Sequence, residues 1–67
     1  MTPDAIYALR KSLGLSCREF ATRLKLTGKN RGITIHRYER GERVPGRKTM
    51  RELQELARGV EGQKHAG

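Results

Sequence analysis

The sequence predicts an all-α fold, a compact bundle of four short helices. Three observations support this prediction: apolar residues recur at helical spacing, residues typical of helix starts precede each recurrence, and glycine or proline separates one recurrence from the next. No segment shows the alternation of a strand. The chain has 67 residues, and a domain of this size buries only about 60% of its unfolded surface. It therefore offers little room for a substrate cavity.

The first helix is predicted to begin at Pro3. Thr2 can cap it, and proline is favoured at the first helical position. Its apolar face is formed by Ile6, Leu9 and Leu13. Gly14 is expected to end it.

The second helix is predicted over residues 17–24. Ser16 and Glu19 have the spacing of a capping box, in which two backbone amides at the helix start are satisfied reciprocally. The buried face is predicted to be Phe20, Ala21 and Leu24. Ala21 is small at the point where helices 2 and 3 must approach.

Residues 27–32 contain two glycines and no apolar side chain, which indicates a loop. The third helix is predicted from Arg31 to Arg40, with Asn30 as its cap and Gly41 as its end. Its buried pair is Ile35 and Tyr38.

The fourth helix is predicted over residues 47–58, after a turn that contains Pro45. Its inward face is formed by Met50, Leu53 and Leu56 or Ala57. We interpret residues 1–58 as one helix-turn-helix domain. Residues 59–67 are rich in glycine and polar groups, and we interpret them as a flexible C-terminal tail.

The net charge is +8 and the sequence pI is about 10.6. Residues 29–51 hold eight basic side chains and two acidic ones. The net charge of this segment is therefore +6, most of the +8 of the whole chain. Scattered charge commonly marks only a solvated surface, but concentration in one segment favours a nucleic-acid partner.

Other function classes find little support. The chain has no apolar run that predicts a membrane span or a signal peptide, so we expect it in the cytoplasm. No nucleophile–base pair indicates an enzyme, and no cofactor or small-molecule ligand is expected. Cys17 is the only cysteine, expected to be inert or weakly reactive, with redox sensing as an alternative. We also expect no metal site, because His36 and His65 lie in different elements and no thiol or carboxylate completes a set of ligands.

Three stretches carry a family resemblance: residues 9–24, 34–46 and, more loosely, 48–57, together about four fifths of the chain. On these residues the chain resembles the Cro/repressor type of helix-turn-helix proteins, the XRE-like, lambda-repressor-like regulators of phages and bacteria. The resemblance implies that helix 2 crosses the DNA backbone and that helix 3 enters the major groove. It also implies an ion pair between Arg10 and Glu39.

The resemblance implies base contacts at positions 32, 33, 36 and 37. Arg37 is the best candidate, since arginine with guanine is the commonest specific contact. His36 is equally compatible with a solvent-facing side chain that has no role. Ile33 is either an apolar contact to a thymine methyl group or a plug beneath the loop. The full set is Gly32, Ile33, His36 and Arg37.

Backbone contacts are expected around these positions. Cys17 stands where the family usually has a phosphate-contacting Gln, so only the helix amides remain there to bind a phosphate. A phosphate near the start of helix 4 would relieve the unfavourable basic charge at that end of the helix dipole. The expected backbone-contacting residues are Cys17, Lys29, Asn30, Arg31, Arg40, Arg43, Arg47 and Lys48.

The turn after helix 2 departs from the family. Lys25 stands where glycine is common, and a left-handed backbone there would cost about 1 kcal/mol. The loop is also longer than the usual pattern, because residues 28–31 are additional. We therefore expect a turn built differently, which presents Lys29, Asn30 and Arg31 to the DNA.

The predicted function is a transcriptional regulator, a repressor or autorepressor that binds a palindromic operator as a homodimer. The short tail replaces the fifth helix that often supports dimerisation in this family, so we expect the dimer to assemble on DNA. The alternative is a protein-interaction module, the antitoxin of a toxin–antitoxin pair, which also binds DNA. An RNA-binding module is less expected, because few aromatic residues are available for stacking.

Overall fold

A computed structural model describes the backbone of residues 1–66 and the side chains of residues 1–60. These residues form four helices and no strand, which confirms the predicted all-α bundle. None of these helices combines the length and the hydropathy that a membrane span requires. The helices are α1 (Pro3–Leu13), α2 (Cys17–Arg23), α3 (Arg31–Arg40) and α4 (Arg47–Ala66).

Local capping explains where α1 and α2 begin. Thr2 Oγ1 accepts a hydrogen bond from the Ala5 amide at 3.1 Å. The Ser16 hydroxyl accepts one from the Glu19 amide at 3.1 Å, and the Ser16 amide donates to Glu19 Oε1 at 3.0 Å. Both caps confirm predictions, because each depends only on residues within one turn of helix.

The capping box predicts a dependence of stability on pH. The hydrogen bonds from Ser16 lower the pKa of the Glu19 carboxyl below its ordinary 4.5. A carboxyl whose pKa is depressed on folding stabilises the fold above its ordinary pKa, and this contribution disappears as the pH falls through the lower folded-state value. In Glu19→Gln, which keeps an acceptor for the cap, the free energy of unfolding should therefore fall less steeply on the acid side.

Urea titrations of both proteins between pH 2 and 7 would measure this difference. The matched control is Glu55→Gln on α4, which measures the effect of removing one exposed negative charge from a protein of net charge +8. Acid-side slopes that are equal in the Glu19→Gln and wild-type proteins would contradict the prediction.

The core takes one large, fully buried side chain from each helix: Ile6, Phe20, Ile35 and Leu53 are all less than 2% exposed. The remaining buried apolar residues surround these four and also lie on the predicted faces. They are Leu9, Ala21, Leu24 and Tyr38. Because every helix buries part of the same cluster, the bundle has a single core.

Helix α4 is longer than predicted, and the prediction that it ends at residue 58 is wrong. The backbone remains helical through Gly59 to Ala66, so residues 59–66 continue the helix; only Gly67 of the predicted tail lies outside the described residues. Val60 explains why the helix continues past Gly59, because it lies seven residues after Leu53 on the same face and packs against the core. A glycine in a helix costs about 1 kcal/mol relative to alanine, and burial of an apolar side chain offsets a cost of that size.

The turn after α2 corrects a second prediction. Lys25 takes the left-handed conformation that favours glycine, with φ at 63°. The prediction that this turn is built in another way is therefore wrong. The Leu26 amide donates to the Ala21 carbonyl and the Lys25 amide to the Thr22 carbonyl, both at 3.0 Å, the two bonds that define a Schellman motif. Leu26 then packs against the core, which offsets the cost of the strained residue.

The predicted side-chain cap of α3 is absent. Asn30 occupies the N-cap position, but its side chain makes no capping hydrogen bond. Its backbone carbonyl instead accepts bonds from the Thr34 amide at 3.1 Å and the Thr34 hydroxyl at 3.3 Å. The side chain of Asn30 is exposed and is left available for an external contact.

Candidate nucleic-acid interface

One face of α3 points to solvent while the other is buried in the core. Ile33, Arg37 and Arg40 lie four and then three residues apart, which places them in one stripe along the helix. We call these three residues the outer stripe of α3. All three are exposed, and Ile33 is 52% exposed. The alternative that Ile33 plugs the loop is therefore wrong.

The two arginines of the outer stripe are weakly held. Arg40 pairs with Glu42 at 3.3 Å, but the two side chains are 73% and 53% exposed, and such surface pairs contribute about 0–1 kcal/mol. Arg37 makes no ion pair with the described side chains, residues 1–60. Both guanidinium groups can therefore turn towards a ligand at low cost.

The predicted ion pair between Arg10 and Glu39 is present and holds α3 against α1. Arg10 Nε donates to Glu39 Oε2 at 2.7 Å, and a second guanidinium nitrogen donates to Oε1 at 3.3 Å. A third bond reaches the Leu15 carbonyl at 3.1 Å. The hydrogen bond to Glu39 raises the pKa of Arg10. Because the two side chains are only 13% and 8% exposed, this pair fixes the orientation of the outer stripe.

The long loop before α3 is braced from within. Arg31 Nε donates to the Thr22 hydroxyl at 3.0 Å, and Arg31 Nη1 donates to the Gly28 carbonyl at 2.9 Å. Arg31 therefore braces the loop, and its contact with a phosphate stays a prediction. Lys29 and Asn30 are exposed at the end of this loop, and their contact with DNA stays a prediction.

Gly32 corrects another expectation. A Cβ at this position would lie 3.5–3.7 Å from the backbone and Cβ of Arg18, so the position faces α2 and not the outer stripe. Its small size serves the close approach of α3 to the start of α2. Position 32 therefore does not face a base edge in the way that the resemblance implies.

Cys17 and His36 contact each other. Cys17 Sγ lies 3.5 Å from His36 Nε2, and the two residues are 19 positions apart in the sequence. The thiol is half-buried and packs against the core. Burial raises the pKa of Cys17, although the nearby Arg10 opposes that shift. Because the thiol is directed at His36, a phosphate contact at position 17 stays a prediction for the amides at the start of α2.

Glu39 lies close to this pair. One ligand atom each from Cys17, His36 and Glu39 falls within 4.8 Å of the other two. The expectation that no thiol or carboxylate lies near His36 is therefore wrong. The spacing of His36 and Glu39, three residues apart on one helix, was visible in the sequence. The contact with Cys17 was not, since it depends on how α2 packs on α3.

The start of α4 adds further positive charge. Arg47, Lys48 and Arg51 are exposed, and the first turn of this helix contains no acidic residue. They line a shallow groove together with Pro45, Met50 and Gln54. Three cations in one groove suit a polyanion better than a neutral ligand.

Comparison with known proteins adds no relative: no protein family, no curated protein and no solved structure matches the chain. The functional conclusion therefore depends on the residues of this surface.

Proposed function

We propose that the chain is a sequence-specific DNA-binding regulator of transcription, of the Cro/repressor helix-turn-helix type. In this proposal α2 crosses the DNA backbone and α3 enters the major groove. The observation that supports it is the outer stripe of α3: two loosely held arginines and an exposed isoleucine lie on one face, while the opposite face and the ion pair of Arg10 with Glu39 fix the helix in place.

The outer stripe offers two kinds of base contact. Arg37 carries the planar fork that matches the O6 and N7 acceptors of guanine, and each such pair discriminates against the wrong base by about 1–3 kcal/mol. Ile33 lies one turn earlier on the helix and offers an apolar surface to a thymine methyl group. Ile33 is 52% exposed, so its side chain is accessible for such a contact.

Phosphate contacts would flank the outer stripe at both ends. Lys29 and Asn30 precede α3, Arg43 follows it, and all three are exposed. Arg47 and Lys48, at the start of α4, extend the basic surface. Contacts of this kind position a protein on the duplex without reading its sequence, so the proposal divides the basic residues into one reading arginine and several positioning ones.

The proposal extends to assembly and regulation. Two copies would bind the half-sites of a palindrome about 34 Å apart, one turn of the double helix. Binding would exclude other proteins from a promoter in the cytoplasm of a bacterial or phage-infected cell, with occupancy set by the concentration of the protein. Selection of bound sequences from a random DNA pool tests the core of this proposal: a palindromic consensus supports it, and a pool without any consensus would overturn it.

The variant Arg37→Ala distinguishes sequence-specific base contacts from electrostatic attraction to any DNA. We expect the affinity for the selected consensus site to fall by about 1–3 kcal/mol, which is about 5- to 150-fold, with little loss on random DNA of the same length. Fluorescence anisotropy titrations on both duplexes, at the same salt concentration, would measure this. Equal losses on both duplexes would reduce Arg37 to a phosphate contact.

Lys29→Ala is the complementary variant, and it should weaken binding to both duplexes by a similar factor. If Lys29 contacts one phosphate, the slope of log K against log salt becomes shallower by about 0.9. Lys11→Ala, on the exposed side of α1, is the matched control and should leave the slope as in the wild type. A slope unchanged by Lys29→Ala would remove the loop from the interface.

A further inference from the structure

We propose that Cys17, His36 and Glu39 form a binding site for a thiophilic divalent cation, Zn²⁺. The three residues offer a sulfur, a nitrogen and an oxygen ligand, the three donor types that zinc takes from proteins. They come from the first residue of α2 and from two positions one turn apart on α3. A bound ion would therefore join the two helices.

The separation of the first two ligands already fits zinc. Bonds of about 2.3 Å to sulfur and 2.0–2.1 Å to nitrogen, at a tetrahedral angle, put the two atoms about 3.6 Å apart. The observed separation of Cys17 Sγ and His36 Nε2 is 3.5 Å. A thiol–imidazole hydrogen bond has a similar length, so the third ligand is what distinguishes a metal site from a simple contact.

Glu39 supplies that third ligand. Its ligand atom lies within 4.8 Å of the other two, so a small side-chain movement would bring the three ligands to one ion. Both of its oxygens accept hydrogen bonds from Arg10, but each carboxylate oxygen has a second lone pair. Arg10 would then orient the ligating carboxylate, as outer partners commonly do at metal sites.

The proposed site is open to solvent on one side. His36 is exposed and Cys17 is half-buried, so an ion can enter from the side of His36. Binding replaces the thiol proton of Cys17 with the metal and releases that proton to solvent. Three protein ligands leave the fourth tetrahedral position to water.

Titration of the reduced, metal-free protein with Co²⁺ tests the proposal, because this ion reports its own ligands. We expect one ion per chain, visible d–d bands of a four-coordinate ion and a near-ultraviolet thiolate-to-cobalt charge-transfer band. Added Zn²⁺ should displace Co²⁺ and abolish all of these bands. Absence of the charge-transfer band in the wild-type protein would overturn the proposal.

Variants identify the ligands. Cys17→Ser should abolish the charge-transfer band, and His36→Ala should weaken Zn²⁺ binding by more than the about 10- to 100-fold that loss of an outer partner costs. Cys17→Ser is a small change and His36 is an exposed residue, so we expect both variants to fold. Circular dichroism would verify this. His65→Ala removes the other histidine of the sequence and is the control expected to bind as the wild type does.

Unchanged Zn²⁺ affinity in His36→Ala, or loss of binding in His65→Ala, would overturn the assignment. Glu39→Gln tests the third ligand, and full retention of Zn²⁺ affinity in that variant would reduce the site to a two-residue contact and overturn it as proposed. These measurements contain no DNA, so their outcome is separate from that of the proposed function.

Discussion

Phe20→Ala is expected to leave much of the protein unfolded in buffer without denaturant. Phe20 is 0% exposed and belongs to a cluster to which every helix contributes. Truncation of a buried phenylalanine costs about 3–5 kcal/mol. A chain of 67 residues has a total stability on the order of 3–10 kcal/mol, so this one change removes a large part of it.

Urea denaturation followed by far-ultraviolet circular dichroism would measure the loss as a shift of the unfolding midpoint. Tyr7→Ala is the matched aromatic control. Tyr7 is 47% exposed, and the cationic groups of Arg10 and Lys11 lie over its ring at 5.3 and 5.9 Å, so the expected cost is about 1 kcal/mol or less. Similar midpoints for the two variants would contradict the role of Phe20 in the core.

Arg10→Met should have the second largest effect, on the order of 2–3 kcal/mol. Removal of Arg10 leaves the Glu39 carboxylate, 8% exposed, without its two charged hydrogen bonds. Loss of one partner from a fully buried pair costs about 3–5 kcal/mol, and the residual exposure here lowers that figure. The methionine keeps most of the apolar stem of the arginine, so the loss reports chiefly the unpaired charge.

A double variant makes this test sharper. When Glu39 is also replaced, as in Arg10→Met with Glu39→Leu, no unpaired charge remains, and we expect the double variant to be more stable than Arg10→Met alone. Arg40→Met is the control at an exposed ion pair and should cost no more than about 1 kcal/mol. A double variant less stable than Arg10→Met would show that the charge is not the cause.

Sequence reasoning succeeded where the determining interactions are local. The caps at Thr2 and Ser16, and the glycine that ends α3, each depend on neighbours within a few positions. The apolar faces were also predictable, because helical periodicity alone sets which side chains share a face. This was sufficient for the number and order of the helices.

The errors arose where packing between helices decides the outcome. Helix α4 continues to Val60 because the core receives that side chain, and Lys25 takes a left-handed backbone because the turn brings Leu26 against the core. The same holds at the candidate site: Arg31 donates a hydrogen bond to Thr22, and Cys17 contacts His36. None of these contacts follows from spacing along the chain.

The shortness of α2 has a consequence for the whole molecule. With seven residues, this helix is well below the roughly 12–15 residues at which an isolated helix becomes even marginally stable in water. It can therefore persist only while Phe20 is enclosed by the other three helices. The backbone hydrogen bonds of α2, which start at the Phe20 amide, therefore last only as long as that side chain stays in the core, and hydrogen exchange of these amides would report how often it leaves.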